Sequence, residues 1–255
     1  TLYLPAARTG FTLMRKMLAS AAFTMGGEAM PLLLPTRRFM QRFLNLSFEG
    51  KSRYADFADI LESRVLLGQV RWNNAPLPDY SYFPMKNHDV GLPLWLTSSL
   101  VTELSPLLLF LRGGDDFRSL VIEEPEAHLH LEMQKELARL LVRLVNSGLP
   151  VWITTHGDTF FQQMSNLVKA FGLEKESLKS FCLEREEVLS PEKVSAFYFK
   201  RGISREGIEE TNIQSLSVDA EGVAGTAFNE SLVSLTEETL LLADLVSEKE
   251  NSSED

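Results

Sequence analysis

Two adjacent carboxylates close a short apolar run in Ser119-Leu120-Val121-Ile122-Glu123-Glu124-Pro125-Glu126-Ala127-His128-Leu129-His130. A strand ending on two acids presents them at the C-terminal edge of a sheet, where open α/β sheets bind ligands. Side chains alternate along a strand, so Glu123 and Glu124 need not share one task. One can hold a hard cation such as Mg²⁺, directly or through water. The other can polarise an attacking water. A second run, Val151 to Thr155, leads into His156, whose imidazole can donate a hydrogen bond to a phosphate oxygen. The competing reading is a solvated strand-to-helix turn with acids at a helix N-terminus, which the helix dipole favours. His128 and His130, with acids close by, also invite a zinc reading. However, they lie past a proline at a helix start, where a spacing of two points side chains apart.

These residues need elements to position them. Leu131 to Val145 places Met133, Leu137, Leu140, Leu141, Leu144 and Val145 on one face, the pattern of an amphipathic helix, and Gly148 closes it. Residues 119–155 therefore predict strand, helix, strand, with a length suited to a right-handed βαβ unit and a parallel sheet. Both strand ends then share one edge, and His156 is expected beside the carboxylates.

Around this unit, residues 1–6 predict a strand closed by Pro5, and 11–22 a helix. Residues 25–35 read as a loop, 37–46 and 55–67 as helices, and 73–84 as a turn-rich stretch broken by prolines. A helix is expected from Thr97 to Arg112, ended by Gly113-Gly114. Residues 159–171 predict another helix, 194–200 and 213–218 a late strand pair, and the chain from Leu232 a helix with an acidic tail. Trp95, Trp152 and Cys182 are expected in the core, and His88 on the surface.

Composition bounds the rest. Hydrophobic residues make up 44% and charged residues 24% of 255, ordinary for a globular protein. One cysteine excludes a disulfide framework and suggests a reducing, cytoplasmic setting. No apolar run approaches a membrane span. A net charge of −10 argues against broad non-specific nucleic-acid binding. Arg37, Arg38, Arg42, Lys51 and Arg53 form the best basic cluster and read as a solvated helix face.

Residues 119–130 resemble the Walker B strand and D-loop of ATP-binding-cassette-type ATPases, in the form of the chromosome-maintenance, DNA-repair and overcoming-lysogenization-defect group. Thr154-Thr155-His156 resembles their switch histidine, although many relatives carry serine where this chain has Gly157. The opening Tyr3-Leu4-Pro5-Ala6-Ala7-Arg8 resembles a strand upstream in the same group. The resemblance implies Mg²⁺ on Glu123, Glu124 as catalytic base, and His156 as sensor of the ATP γ-phosphate. It also implies a D-loop from Ala127 to His130 that crosses to a partner subunit. Thr97-Ser98-Ser99-Leu100-Val101 stands where a signature segment would clamp the partner's γ-phosphate, with Leu100 where relatives use a small residue. Ser98 or Ser99 as a plain helix cap is the alternative.

A P-loop is missing. Gly50-Lys51-Ser52 is a decoy, because Asn45 takes the place of the first glycine and no strand is expected before it. With Thr1 opening inside a strand, the chain reads as a partial one whose P-loop lobe lies N-terminal to it. The fold class is α/β, a mainly parallel sheet flanked by helices, with a helical subdomain. The expected organisation is 1–22 completing an N-terminal lobe, 23–112 a helical subdomain, 113–235 the Walker B and switch-histidine core, and 236–255 a C-terminal helix and acidic tail. The resemblance implies an ATPase that works as a homodimer or higher even oligomer and controls a separate effector such as a nuclease, with DNA or RNA as a further partner. Antiphage defence or DNA maintenance is the expected setting. The 55 or so residues after Lys200 are too few for a typical nuclease domain. A non-hydrolysing scaffold built on the same fold is the second reading, and a metal hydrolase using His128 and His130 the third.

Overall fold

The computed structural model describes residues 1–255 except 7, 25–31, 51, 74, 76, 115, 205–206, 226–232, 244 and 246–255, and gives only the backbone of 21–24. Ala7, Lys51, most of the 25–35 loop and most of the acidic tail therefore lie outside the described residues. The chain divides into two units, Thr1–Leu189 and Ser190–Asp255.

In the first unit, β1 (Leu2–Leu4) precedes α1 (Arg8–Thr24) and α2 (Leu34–Leu44). Pro35, expected in a loop, sits in the first turn of α2, where its missing N–H and preset φ are no handicap. Next come α3 (Ala55–Ile60), which runs on as a π-helical turn to Leu66, and Leu67, whose left-handed φ of 51° ends it. Residues 46–49, between α2 and Gly50, form neither strand nor helix, in keeping with the expectation that no strand precedes Gly50-Lys51-Ser52.

Three short strands follow: β2 (Gly68–Trp72), β3 (Tyr80–Pro84) and β4 (Leu92–Pro93), hydrogen-bonded in an antiparallel sheet of order β2-β3-β4. β3 occupies part of the stretch read as turn-rich. Its Tyr80, Tyr82 and Phe83 favour an extended backbone, and Pro84 lies beyond the part of β3 that pairs with β4, at an edge where a missing donor is tolerated.

α4 (Ser99–Arg112) is buried from Val101 to Leu111 on every side, Thr102, Glu103 and Ser105 included. β5 (Leu120–Glu123), α5 (Leu131–Asn146) and β6 (Val151–Thr154) then form the expected βαβ unit. The parallel sheet has the order β1-β5-β6, with Leu4 beside Ile122 and Ile122 beside Ile153. Gly148, at φ 93°, turns the chain out of α5, a conformation that costs glycine nothing. α6 (Asp158–Lys169) and α7 (Lys175–Ser180) complete the unit.

One face of the parallel sheet is covered: Leu2, Leu4, Leu120 and Ile122 are all 0% exposed. The opposite face carries Tyr3, Val121 and Trp152, aligned across the three strands. Trp152 is 58% exposed there. Its expected place in the core is thus corrected: β6 ends the sheet, and alternation puts Trp152 on the uncovered side. Trp95 is also exposed, in the 3₁₀ turn before α4. Cys182, expected inside, is exposed in a left-handed turn at φ 52° after α7.

In the second unit β7 (Ala196–Ile203) and β8 (Glu209–Leu216) form an antiparallel hairpin in the region of the expected late strand pair, turning near Gly207. β9 (Val218–Asp219) and β10 (Gly222–Val223) pair after it, and residues 233–243 are helical. No helix among the described residues is long and apolar enough to cross a membrane.

Candidate functional site

The ladder that joins β5 to β6 continues one residue past β5, where the Glu124 amide donates to the Thr154 carbonyl at 2.8 Å. Glu124 itself leaves the strand at φ 42°, a left-handed backbone that is uncommon outside glycine and worth a functional look. This bend turns its carboxylate toward the end of β6. His156 Nε2 stands 3.9 Å from Glu124 Oε1, with the imidazole 89% and the carboxylate 40% exposed. The two groups that the sequence placed on one edge thus meet there.

Glu123 takes a different position, as strand alternation requires. Its Oε2 accepts the Ala6 amide at 3.2 Å, from the turn after β1. The Tyr3 phenol is pushed up to about 12 by partial burial, with the Glu123 carboxylate reinforcing the shift. A half-exposed carboxylate with one oxygen tied to a backbone donor suits a single hard-cation ligand, since Mg²⁺ is commonly held by one or two carboxylates together with substrate phosphates and water. Among the described residues no three His, Cys, Asp or Glu side chains surround one metal position.

Beneath these carboxylates lies a buried group to which the sequence reading gave no role. Arg8, 0% exposed, donates to the carbonyls of Pro5 (3.0 Å), Glu103 (3.2 Å), Glu123 (2.6 Å) and Glu124 (3.1 Å). Its Nη2 also pairs with Glu103 Oε1 at 2.8 Å. Burial holds the guanidinium below its ordinary pKa, while the surrounding glutamates oppose that shift. Glu103 Oε2 accepts the Thr9 amide at 2.9 Å and the Thr9 hydroxyl at 2.7 Å, satisfying donors that the start of α1 would leave orphaned. One ion pair therefore ties α1, α4 and the end of β5 together. The sequence does hold a signal for it: Glu103 is the lone charge in the otherwise apolar and neutral stretch Leu100 to Leu111, and a buried charge requires a partner.

Glu126 was read only as one acid among several. It is 7% exposed, and its Oε1 accepts the Thr155 hydroxyl at 2.5 Å, the His156 amide at 3.2 Å and the Gly157 amide at 3.0 Å. It thus spans from the acidic turn to the loop that carries His156.

His130 occupies the N-cap position of α5 with an exposed side chain that makes no cap bond. His128, also exposed, has φ 63°. Ser98 is the N-cap residue of α4; its carbonyl accepts the amides of Val101 (3.1 Å) and Thr102 (3.2 Å), but its hydroxyl makes no cap bond. Ser98 and Ser99 are exposed and Leu100 is half-buried. The start of α4 connects to the carboxylates through the Glu103–Arg8 pair one turn further on.

Comparison with known proteins adds the following. Residues 41–160, a little under half of the chain, match the family model of an AAA ATPase domain. No match is found among curated proteins. Among solved structures, one from work on ATP-driven dimerization and DNA-stimulated activation of SMC ATPases aligns at 13% identity and a TM-score of 0.40, over 79% of this chain and 95% of that one. The Smc head of Pyrococcus furiosus with an extended coiled coil, bound to the C-terminal domain of ScpA, aligns at 12% identity and a TM-score of 0.35, over 79% of this chain and 38% of that one. An Smc head bound to the C-terminal winged-helix domain of ScpA gives 11% identity and a TM-score of 0.41, over 84% and 55%. The stretch matched by the AAA ATPase domain family contains β5, the acidic turn and β6 through His156, so the carboxylate–histidine site lies inside it.

Proposed function

We propose that this chain binds and hydrolyses ATP at the C-terminal edge of its parallel sheet and that the nucleotide closes a dimer. The observation that carries this reading is the 3.9 Å approach of His156 to Glu124, inside a stretch that matches an ATPase domain. In this reading Glu124 accepts the proton of the attacking water, and its exposed carboxylate leaves room for that water. His156, on the neighbouring strand end, donates a hydrogen bond to the γ-phosphate. Glu123 holds Mg²⁺, which when bound neutralises phosphate charge.

The remaining parts come from outside the sheet edge. The P-loop belongs to a lobe N-terminal to these residues. The open face bearing Val121 and Trp152 favours such a layer, because parallel sheets occur almost only with both faces covered. The exposed N-terminus of α4 at Ser98 and Ser99, with hydroxyls that do not cap the helix, suits a partner's phosphate. His130 and the turn before it reach the same partner. The product of closure is control of a separate effector, such as a nuclease acting on DNA or RNA in defence or genome maintenance.

ATP turnover by the protein carrying its P-loop lobe tests this. Glu124→Gln should lower kcat by about 10²- to 10⁴-fold while ATP binding persists and dimers accumulate. Wild-type turnover in that variant would remove Glu124 as the base. Leu100, at the point of closest phosphate approach, favours a second reading, a scaffold that binds without hydrolysing. ATP binding with no turnover in the wild type would establish that one.

A further inference from the structure

We propose that Glu126 is a positioning residue: its buried carboxylate locks the His156 loop onto the acidic turn and so holds the imidazole over Glu124. Two successive turns aim it. The Ala127 amide donates to the Glu124 carbonyl at 3.1 Å and the Leu129 amide to the Glu126 carbonyl at 3.0 Å. Left-handed backbone at Glu124 (φ 42°) and His128 (φ 63°) brackets the segment. The result sends Glu126 inward while His128 stays exposed.

Inside, one oxygen does the binding. Glu126 Oε1 gathers the Thr155 hydroxyl and the amides of His156 and Gly157, and the Thr155 hydroxyl itself accepts the Gly157 amide at 3.0 Å. The loop from Thr155 to Gly157 is therefore wrapped on a single carboxylate. Oε2 is buried and makes no hydrogen bond among the described residues, and the carboxylate also feels the buried Arg8 charge. A loop held by three hydrogen bonds to one oxygen is fixed more firmly than its exposed histidine would suggest.

The residue after the histidine fits the same device. A Cβ placed on Gly157 would lie 2.9 Å from Glu126 Cγ and 3.0 Å from Oε1. A side chain here would force the carboxylate or the loop to shift, so glycine lets Glu126 come this close.

The loop attachment is a property of this chain alone, whereas its catalytic meaning rests on the ATPase reading of His156. Backbone amide exchange on the chain tests the attachment without nucleotide. Glu126→Ala should speed exchange at His156 and Gly157 by about tenfold or more with no change at Leu137 to Leu144 of α5, and Glu126→Gln, which keeps the acceptor, should stay near wild type. Gly157→Ala should loosen the loop in the wild-type background and add nothing in Glu126→Ala. Wild-type exchange in Glu126→Ala, or an equal effect of Gly157→Ala in both backgrounds, overturns the proposal. Should the alanine variant not fold, Thr155→Val decides: faster exchange at Gly157 with α5 unchanged supports the attachment, and wild-type exchange overturns it. In the protein with its P-loop lobe, Glu126→Ala should lower kcat with KM for ATP unchanged, and Gln should restore it. An unaltered kcat beside a loosened loop overturns the positioning role, whereas an inert Glu124→Gln would strike the ATPase reading instead.

Discussion

Replacing Glu103 by alanine should destabilise the first unit by about 3–5 kcal/mol, the cost of breaking a buried ion pair from one side. The magnitude follows from what the carboxylate leaves behind. Arg8, 0% exposed, loses the oxygen 2.8 Å from its Nη2, the largest charge opposing its burial, and keeps only the weaker fields of Glu126, Glu123 and Glu124. The half-buried Thr9 amide loses its acceptor at 2.9 Å, at a cost of about 1 kcal/mol, while its hydroxyl, losing one at 2.7 Å, keeps the Thr102 hydroxyl. The four carbonyls around the guanidinium still receive its hydrogens, which keeps the loss from rising further. Glu103→Gln preserves the acceptor for Thr9 but not the charge, and should cost about half as much. Urea unfolding followed by circular dichroism, with amide exchange of Leu107 to Leu111 reporting the core of α4, gives the number. A loss below about 1 kcal/mol for the alanine variant would refute the reasoning, because it would mean that the Arg8 charge needs no paired carboxylate.

Glu187 is the second buried carboxylate that holds arginines. It is 0% exposed and accepts Arg64 at 2.6 Å, Arg143 at 3.0 Å and the Glu184 amide at 3.0 Å, but both arginines reach solvent and keep Glu184 as a partner, so Glu187→Ala should cost less, about 1–3 kcal/mol in the same urea measurement. His156→Ala, by contrast, removes a side chain that is 89% exposed and should shift stability by no more than about 0.5 kcal/mol; a larger loss would give His156 a structural role. Ultraviolet titration of the tyrosines should find Tyr3 ionising near 12, and Tyr3→Phe should delete that step. Because its folded pKa is raised, Tyr3 contributes stability that is complete below its unfolded value of about 10. That contribution is lost as pH rises through the folded value, so Tyr3→Phe should flatten the decline between them.

The local parts of this protein were legible in its residues. The 3.6-residue period of Leu137, Leu140, Leu141 and Leu144 specifies α5, and short apolar runs on either side specify β5 and β6, because periodicity is a property of neighbours in the chain. Parallel pairing then follows from connecting two strands through a helix, which is why His156 could be placed beside Glu124 with no coordinates. What the residues did not disclose depends on partners distant in sequence. Arg8 and Glu103 are 95 positions apart, and only packing of α1 on α4 makes them a pair. Glu126 looked like one more acid in a polar turn until the left-handed bend at Glu124 sent it inward to the Thr155 hydroxyl. Trp152 looked like core, yet β6 ends the described sheet and leaves this side chain 58% exposed. Sequence alone determined most of the elements, though not the β2-β3-β4 sheet, and which chemical groups stand at the ends of β5 and β6. Tertiary structure decided which of those groups are buried and paired, because burial is set by what packs against a residue and not by its neighbours along the chain.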